Sequence, residues 1–229
     1  MEPNHQHKKY ANQELLWYPY DDVETYNKNL IERHKDLVRM GWLDRTITYK
    51  FNSNGFRSAE FQEGSIVYLG CSITFGIGLP LENIFPSLVS DKLELHCCNL
   101  AVSGSSNDTA FRLAEYWLSR IKPKMVILMS PDSSRIELVG KEIINYRPSS
   151  STSHMIYYQR WLMDNENARL NQLKNSLAIE QICNSMGIKF LMFTIENDFC
   201  FIENDLARDL SHPGIASHAK MADLILDRI

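Results

Sequence analysis

Three short blocks of this 229-residue chain hold the residue types that acyl-transfer chemistry needs. The first is Gly70-Cys71-Ser72-Ile73-Thr74-Phe75-Gly76-Ile77-Gly78, in which a serine follows an apolar run. A serine at the end of a buried strand can face a cleft, and nearby glycines permit tight turns and close backbone approach. Its hydroxyl is a poor nucleophile near neutral pH until a base takes the proton. The second block, Asp209-Leu210-Ser211-His212-Pro213-Gly214, supplies such a base. A local turn can set the carboxylate against one imidazole nitrogen and leave the other free for the serine proton. The third block runs from Asn99 to Asp108 and contains Ser103-Gly104-Ser105-Ser106-Asn107. Gly104 could offer its backbone N–H to a developing oxyanion, with the Ser72 N–H as a second donor. Each block also has a plainer reading, in which Asp209 is a cap, His212 starts a helix, and 103–107 is a loop with a helix cap. Cys71 is a rival nucleophile, but consecutive side chains point in different directions, which favours Ser72. His218 reads as structural or surface-facing.

These blocks need elements that bring them together. Residues 65–70, 95–102, 124–130 and 188–195 are short apolar runs with the look of buried strands. Between them lie helical patterns over 81–93, 108–121 and 166–186, and a last one from about Pro213 onward. Pro86 belongs in the first turn of its helix, and Ser106 or Asn107 is the expected cap of the next. In 166–186, Leu170, Leu173, Leu177, Ile182 and Met186 fall roughly on one side, the pattern of an amphipathic helix. Strands alternating with helices imply an α/β domain with a mostly parallel sheet covered on both faces. Ligand sites in such sheets form beyond the carboxyl ends of the strands, and every block above follows a strand or leads into a helix.

Upstream, residues 1–14 read as a frayed or tag-like leader, 26–40 as a helix stopped by Gly41, and 45–51 as strand-like. No linker divides the chain, so 1–62 is expected to be an N-terminal extension packed on a core domain of 63–229. Within that core, about 132–165 is an irregular insertion. Long loops in compact domains often cover a binding site. Tyr157 and Trp161 within it, with Asp132 and Arg135 at its start, are substrate-contact candidates.

Charge and composition narrow the function. The chain carries 24 basic and 28 acidic residues, a formal charge of −4, without a long run of either sign, which argues against a nucleic-acid partner. No apolar stretch approaches the roughly eighteen residues of a membrane span, and the N-terminus lacks the pattern of a signal peptide. The 5 cysteines, odd in number and including the adjacent pair Cys97-Cys98, suggest a reduced, cytoplasmic setting. Neither histidines nor carboxylates show metal-ligand spacing, so no metal and no cofactor are expected.

Taken in order, the blocks resemble the SGNH, or GDSL-type, hydrolase family. That family carries its nucleophile in a GDSxTxG-like block, which Gly70-Cys71-Ser72-Ile73-Thr74-Phe75-Gly76 matches except for cysteine in place of aspartate. Asn99 and Gly104 match its second block, and Asp209 with His212, followed by Pro213-Gly214, its last. Residues 52–58 look like an upstream segment of some members. The resemblance covers the chain from about Ser65 to its end. It implies a three-layer, flavodoxin-like α/β/α sandwich, with Ser72 as nucleophile, His212 as base and Asp209 as its orienting acid. It also implies a small-molecule or glycan ester as substrate. The third family block, GxND, is absent, and Met129-Ser130-Pro131-Asp132-Ser133-Ser134-Arg135 stands in its place. Losing the asparagine donor costs about 10²–10³ in rate unless Ser130, Ser133, Asn107 or Arg135 replaces it. A non-catalytic carbohydrate-binding or structural protein on the same fold, and an acyl transferase, are the competing expectations.

Overall fold

The computed structural model describes residues 5, 7–140, 143–147, 160–161, 164–199 and 205–229. The first part of the chain forms β1 (Glu14–Leu15), α1 (Val23–Glu32), α2 (His34–Met40) and β2 (Tyr49–Lys50). Next come β3 (Ile66–Leu69), α3 (Ser72–Phe75), α4 (Phe85–Lys92), β4 (Cys97–Asn99), α5 (Asn107–Ile121) and β5 (Met125–Met129). The chain continues through β6 (Ile136–Val139), β7 (Ile143–Tyr146), α6 (Asn165–Ser185), β8 (Lys189–Phe193), α7 (Ile195–Asp198) and α8 (Ile215–Leu226).

Strands β3, β4, β5 and β8 make one sheet in the order β4-β3-β5-β8, and each pairing in it is parallel. Every residue of β3 and β5 is buried, as apolar runs without a polar position require of a sheet covered on both sides. Side chains alternate between the faces. Val67, Leu69, Val126 and Leu128 turn toward Leu113, Trp117, Leu118 and Ile179 of α5 and α6. Ile66, Tyr68, Met125 and Ile127 turn the other way, toward Phe85, Val89, Met221 and Ile225 of α4 and α8. The result is the expected α/β/α sandwich. Strand order reverses direction about β3, so the crevice of the fold opens beyond the carboxyl ends of β3 and β5.

Several elements depart from the sequence reading. The helix expected over 81–93 is a 3-10 turn at Leu81–Asn83 and then α4, separated by the extended Ile84. A helix begun at Leu81 would bury Pro86 in its interior, where its ring meets the carbonyl one turn back. The helix expected over 26–40 breaks at Arg33 into α1 and α2, while Gly41 caps the second in the left-handed region as anticipated. The irregular insertion contains an antiparallel hairpin, β6-β7. The leader is not frayed where it is described: His5 and His7 are buried, and Asn12 N–H donates to Asn52 O at 3.0 Å. Burial, with lesser repulsion from His5 and Lys9, lowers the His7 pKa to about 3, so its ring is neutral at neutral pH.

The largest reversal concerns α6. Leu170, Leu173 and Leu177 do share a side, but that side is exposed, at 64%, 48% and 52%. Ala168, Asn171, Asn175, Ile179 and Cys183 are the buried face. Small and polar side chains pack here because Asp108 needs donors. Asn175 Nδ2 reaches its Oδ1 at 2.9 Å, and Asn171 Nδ2 its Oδ2 at 3.3 Å. Among the described residues, no helix is long and apolar enough to cross a membrane.

The extension is wired into the core rather than laid on it. Its aromatic residues Tyr18, Trp42, Tyr49 and Phe51 share one cluster with Phe75, Ile77, Ala207 and Leu210. Two buried arginines fix the loops on either side. Arg57 donates to the carbonyls of Phe75, Gly76 and Leu79 at 3.2, 2.5 and 2.6 Å. Arg208 grips Asp21 bidentately, at 2.9 and 2.8 Å. Tyr49 links the two, donating to Asp21 Oδ2 at 2.6 Å while accepting from Gly78 N–H at 2.7 Å. The extension thereby holds the loop after Ser72 and the loop before His212 in one frame.

Candidate active site

Ser72 is the first residue of α3, directly beyond β3, and α3 ends after one turn at the left-handed Gly76. Its placement is held from below by Asn99, whose Nδ2 donates to Thr74 O at 2.8 Å and whose Oδ1 accepts from Ala101 N–H at 3.1 Å. Gly104 follows β4 at φ +75°, a conformation that favours glycine. His212 precedes α8. These three residues, drawn from three places in the chain, line one cavity of about 230 Å³ together with Ser103, Arg135 and Arg147.

Asp209 and His212 lie against each other across a local turn. His212 Nδ1 lies 2.5 Å from Asp209 Oδ2, with the Asp209 side chain at 0% exposure and that of His212 at 20%. The same carboxylate accepts from the backbone N–H groups of Ser211 and His212 at 3.2 and 3.1 Å, and from Ser211 Oγ at 2.5 Å. Burial alone would raise its pKa, but the hydrogen bonds and charge of His212, with those of Ser211, hold it below the usual carboxylate range. Asp209 is therefore ionised at neutral pH.

The serine and base loops touch through their backbones. Arg208 N–H donates to Gly78 O at 3.0 Å. A Cβ at Gly78, itself at φ +70°, would stand 2.9 Å from that nitrogen, so no side chain fits between the loops. From the extension, Asn29 Nδ2 donates to Asp209 O at 3.0 Å, and Arg33 Nη1 to Leu210 O at 2.8 Å.

Ser72 Oγ lies 4.0 Å from Cys71 Sγ, and among the described residues it makes no hydrogen bond to His212. The backbone N–H groups of Ser72 and Gly104 likewise donate to no acceptor among the described residues. Both residues line the cavity.

Other predicted residues fall elsewhere. Asn107 is 1% exposed, and its amide is consumed: Nδ2 donates to Pro131 O at 3.0 Å and Oδ1 accepts from Ser130 Oγ at 2.9 Å. It does not line the cavity. Asp132 is exposed and folds back on its own turn, accepting from Ser134 N–H at 2.8 Å and Ser134 Oγ at 2.6 Å. Arg135 alone of the substituted third block reaches the cavity. Trp161 is half-buried and does not line it, while Tyr157 lies outside the described residues. His218 is structural and fully buried, its Nδ1 accepting from Phe85 N–H at 3.1 Å. Among the described residues, no group of three or more His, Cys, Asp or Glu side chains is placed to hold a metal ion.

Sequence reasoning missed Tyr20, Ser103, Arg147 and Ser211 as cavity residues. Tyr20 sits at φ +78°, a conformation rarely adopted outside glycine and worth attention beside a site. Nothing in the sequence marks that strain. Arg147 was within reach of sequence reasoning, because it belongs to the insertion expected to wall the site.

No family model matches the sequence, and no curated protein does. Solved structures similar to this chain include TesA, at 13% identity and a TM-score of 0.41, covering 71% of this chain and 96% of TesA. The esterase EstA from Pseudoalteromonas sp. has 16% identity and a TM-score of 0.40, covering 72% of this chain and 96% of its own. Axe2, an acetylxylan esterase from Geobacillus stearothermophilus, has 16% identity and a TM-score of 0.39, covering 73% and 94%. At such identities the chemistry of this chain must be argued from its own geometry. Also similar to this chain is a lipolytic protein of the G-D-S-L family from Desulfitobacterium hafniense, at 12% identity and a TM-score of 0.42, covering 73% of this chain and 100% of its own.

Proposed function

We propose that this protein hydrolyses carboxylic esters through an acyl-enzyme on Ser72. The observation that carries the reading is the Asp209–His212 pair, buried on its acid side and open on its imidazole side, where His212 shares a cavity with Ser72 and Gly104. In the reaction His212 Nε2 takes the Ser72 proton as Oγ attacks the ester carbonyl. The carbonyl oxygen, now negative, is held by the N–H groups of Ser72 and Gly104. His212 then gives its proton to the departing alkoxide, leaving the acyl group on Ser72. Water, deprotonated by His212, attacks that acyl-enzyme and releases the acid. The hydrogen bond from Ser72 to His212, open at rest, is of the kind that commonly closes only with substrate bound.

Acetyl esters, including those of carbohydrates, are the first substrates to try. A binding role without turnover is favoured by one specific observation, the diversion of Asn107 into structural hydrogen bonds, which leaves the oxyanion without a side-chain amide. Turnover of para-nitrophenyl acetate decides between the two. The wild type is expected to hydrolyse it, and Ser72→Ala to lose on the order of 10⁴–10⁶ of kcat. Equal rates in the two proteins would discard the proposal, and no rate in either would favour the binding module.

A further inference from the structure

The cavity that holds Ser72 and His212 is not isolated. It shares Tyr20, Ser103, Gly104 and Arg147 with a second cavity of about 370 Å³, which extends the cleft toward Lys9 and β7. The charged side chains along this combined cleft are of one sign. Arg135 and Arg147 line the part beside Ser72, and Arg147 and Lys9 the extension. No Asp or Glu lines either cavity among the described residues, although acidic residues outnumber basic ones, 28 to 24, in the whole chain. Asp209 stands behind His212 with its oxygens occupied, and His7, neutral as argued above, adds nothing.

Both arginines are set by structure rather than left to sample solvent. They flank the β6-β7 hairpin, which is pinned to α5 where Glu137, its side chain 1% exposed, meets Arg112 Nε at 2.7 Å. Arg147 Nη2 donates to Tyr20 Oη at 2.5 Å and packs so close to Gly104 that a Cβ there would be 3.2 Å away. Arg135 Nη1 is buried and has no hydrogen-bond partner among the described residues. A buried, charged N–H without an acceptor is costly, and an acceptor brought against the guanidinium would relieve that cost.

We infer that the substrate carries an anionic group, a carboxylate, sulfate or phosphate, that Arg135 and Arg147 bind next to the scissile ester. The inference rests on the proposed hydrolase only for the reacting bond; the anion site stands on the cleft itself. Guanidinium groups match such oxyanions in geometry as well as charge. The field of the cleft would also steer an anion to a protein whose net charge repels it.

Two ester pairs test this, each differing by one carboxylate: para-acetoxybenzoate with its methyl ester, and mono-para-nitrophenyl succinate with para-nitrophenyl methyl succinate. At least one anionic member is expected to be preferred in kcat/KM by about 10- to 100-fold, the factor one charge-assisted hydrogen bond supplies. The gain should lie in KM and shrink in concentrated salt. In the Arg135→Met/Arg147→Met double variant the ratio should fall toward unity, while Arg135→Lys, which keeps the charge, should retain part of it. Equal handling of both pairs by the wild type would overturn the inference. So would a preference that survives in the double variant, or a fall in kcat common to both members, which would make Arg135 an oxyanion donor instead. Calorimetric binding of the same compounds to Ser72→Ala separates the two claims. Anion-selective binding without wild-type turnover would keep the site and discard the hydrolase, and turnover indifferent to charge would do the reverse.

Discussion

Asp209→Asn is expected to lower ester turnover by about 10⁴-fold while the fold persists. The carboxylate and the amide have the same shape, so packing survives. The oxygen can still accept from the backbone N–H groups of Ser211 and His212, which now bond Asp209 Oδ1 at 3.2 and 3.1 Å. The amide nitrogen must then take the place of Oδ2, which lies 2.5 Å from His212 Nδ1. A nitrogen there donates where the carboxylate accepts, so Nδ1 must give up its proton and Nε2 must carry it. A protonated Nε2 cannot deprotonate Ser72. The comparison is made with kcat/KM on an aryl acetate beside a thermal unfolding curve. A loss under tenfold with an unchanged melting profile would mean that Asp209 does not set the tautomer of His212. The sign of the pH effect follows from the lowered pKa of Asp209. Its stabilising contribution is complete above the ordinary carboxylate value and is lost only as pH falls through the lower folded value.

Asp21→Ala should cost about 3–5 kcal/mol of stability, the usual effect of removing one partner of a buried ion pair. Arg208 and Asp21 have side-chain exposures of 4% and 1%. Alanine strands the guanidinium, and it also takes the acceptor from Tyr49, whose oxygen holds Gly78 N–H. Because Arg208 adjoins Asp209 in sequence, the loop carrying Asp209 and His212 loses one of its tethers to the extension and keeps those from Asn29 and Arg33. Catalysis should therefore fall with stability, even in conditions where the variant is folded. The double variant Asp21→Ala/Arg208→Met should recover part of the stability, since the unpaired charge is gone. Urea unfolding of the three proteins measures this. A loss below about 1 kcal/mol in Asp21→Ala, the size typical of a surface pair, would contradict the picture of the extension as a clamp.

How far the fold could be read from the sequence follows from what local patterns encode. The apolar runs at Ile66–Leu69 and Met125–Met129 were legible as buried parallel strands because a polar position on either face would have been exposed by absence of cover. A cap at Ser106 or Asn107 was legible, and Ser106 takes the place, forming a reciprocal capping box with Thr109. The leucines of α6 were misread because periodicity tells which residues share a face, not which face the neighbours want. There the demand of Asp108 for amide donors, a long-range fact, decided the orientation. Burial of His5 and His7 was equally hidden, since a polar leader gives no local sign that aromatic neighbours will cover it.

The candidate site divides along the same line. Asp209 and His212 were legible as a pair that a local turn can join, beside the plainer reading of a cap and a helix start, which spacing alone does not exclude. Ser72 and Gly104 were legible as residues following strands. Asn107 was not, because its amide is bonded to Ser130 and Pro131, which follow β5. Tyr20 and Arg147 reach the cavity from an extension and a hairpin whose placement depends on tertiary anchors such as Asp21 and Glu137.

The central claim is that the Ser72 hydroxyl, rather than the adjoining Cys71 thiol, is the group activated by His212. Exposing the protein to an alkyl fluorophosphonate and mapping the adduct by peptide mass spectrometry reads this directly. One adduct per chain is expected, on Ser72, absent when His212 is replaced by alanine. An adduct on Cys71, or none on a folded wild-type protein, would contradict it.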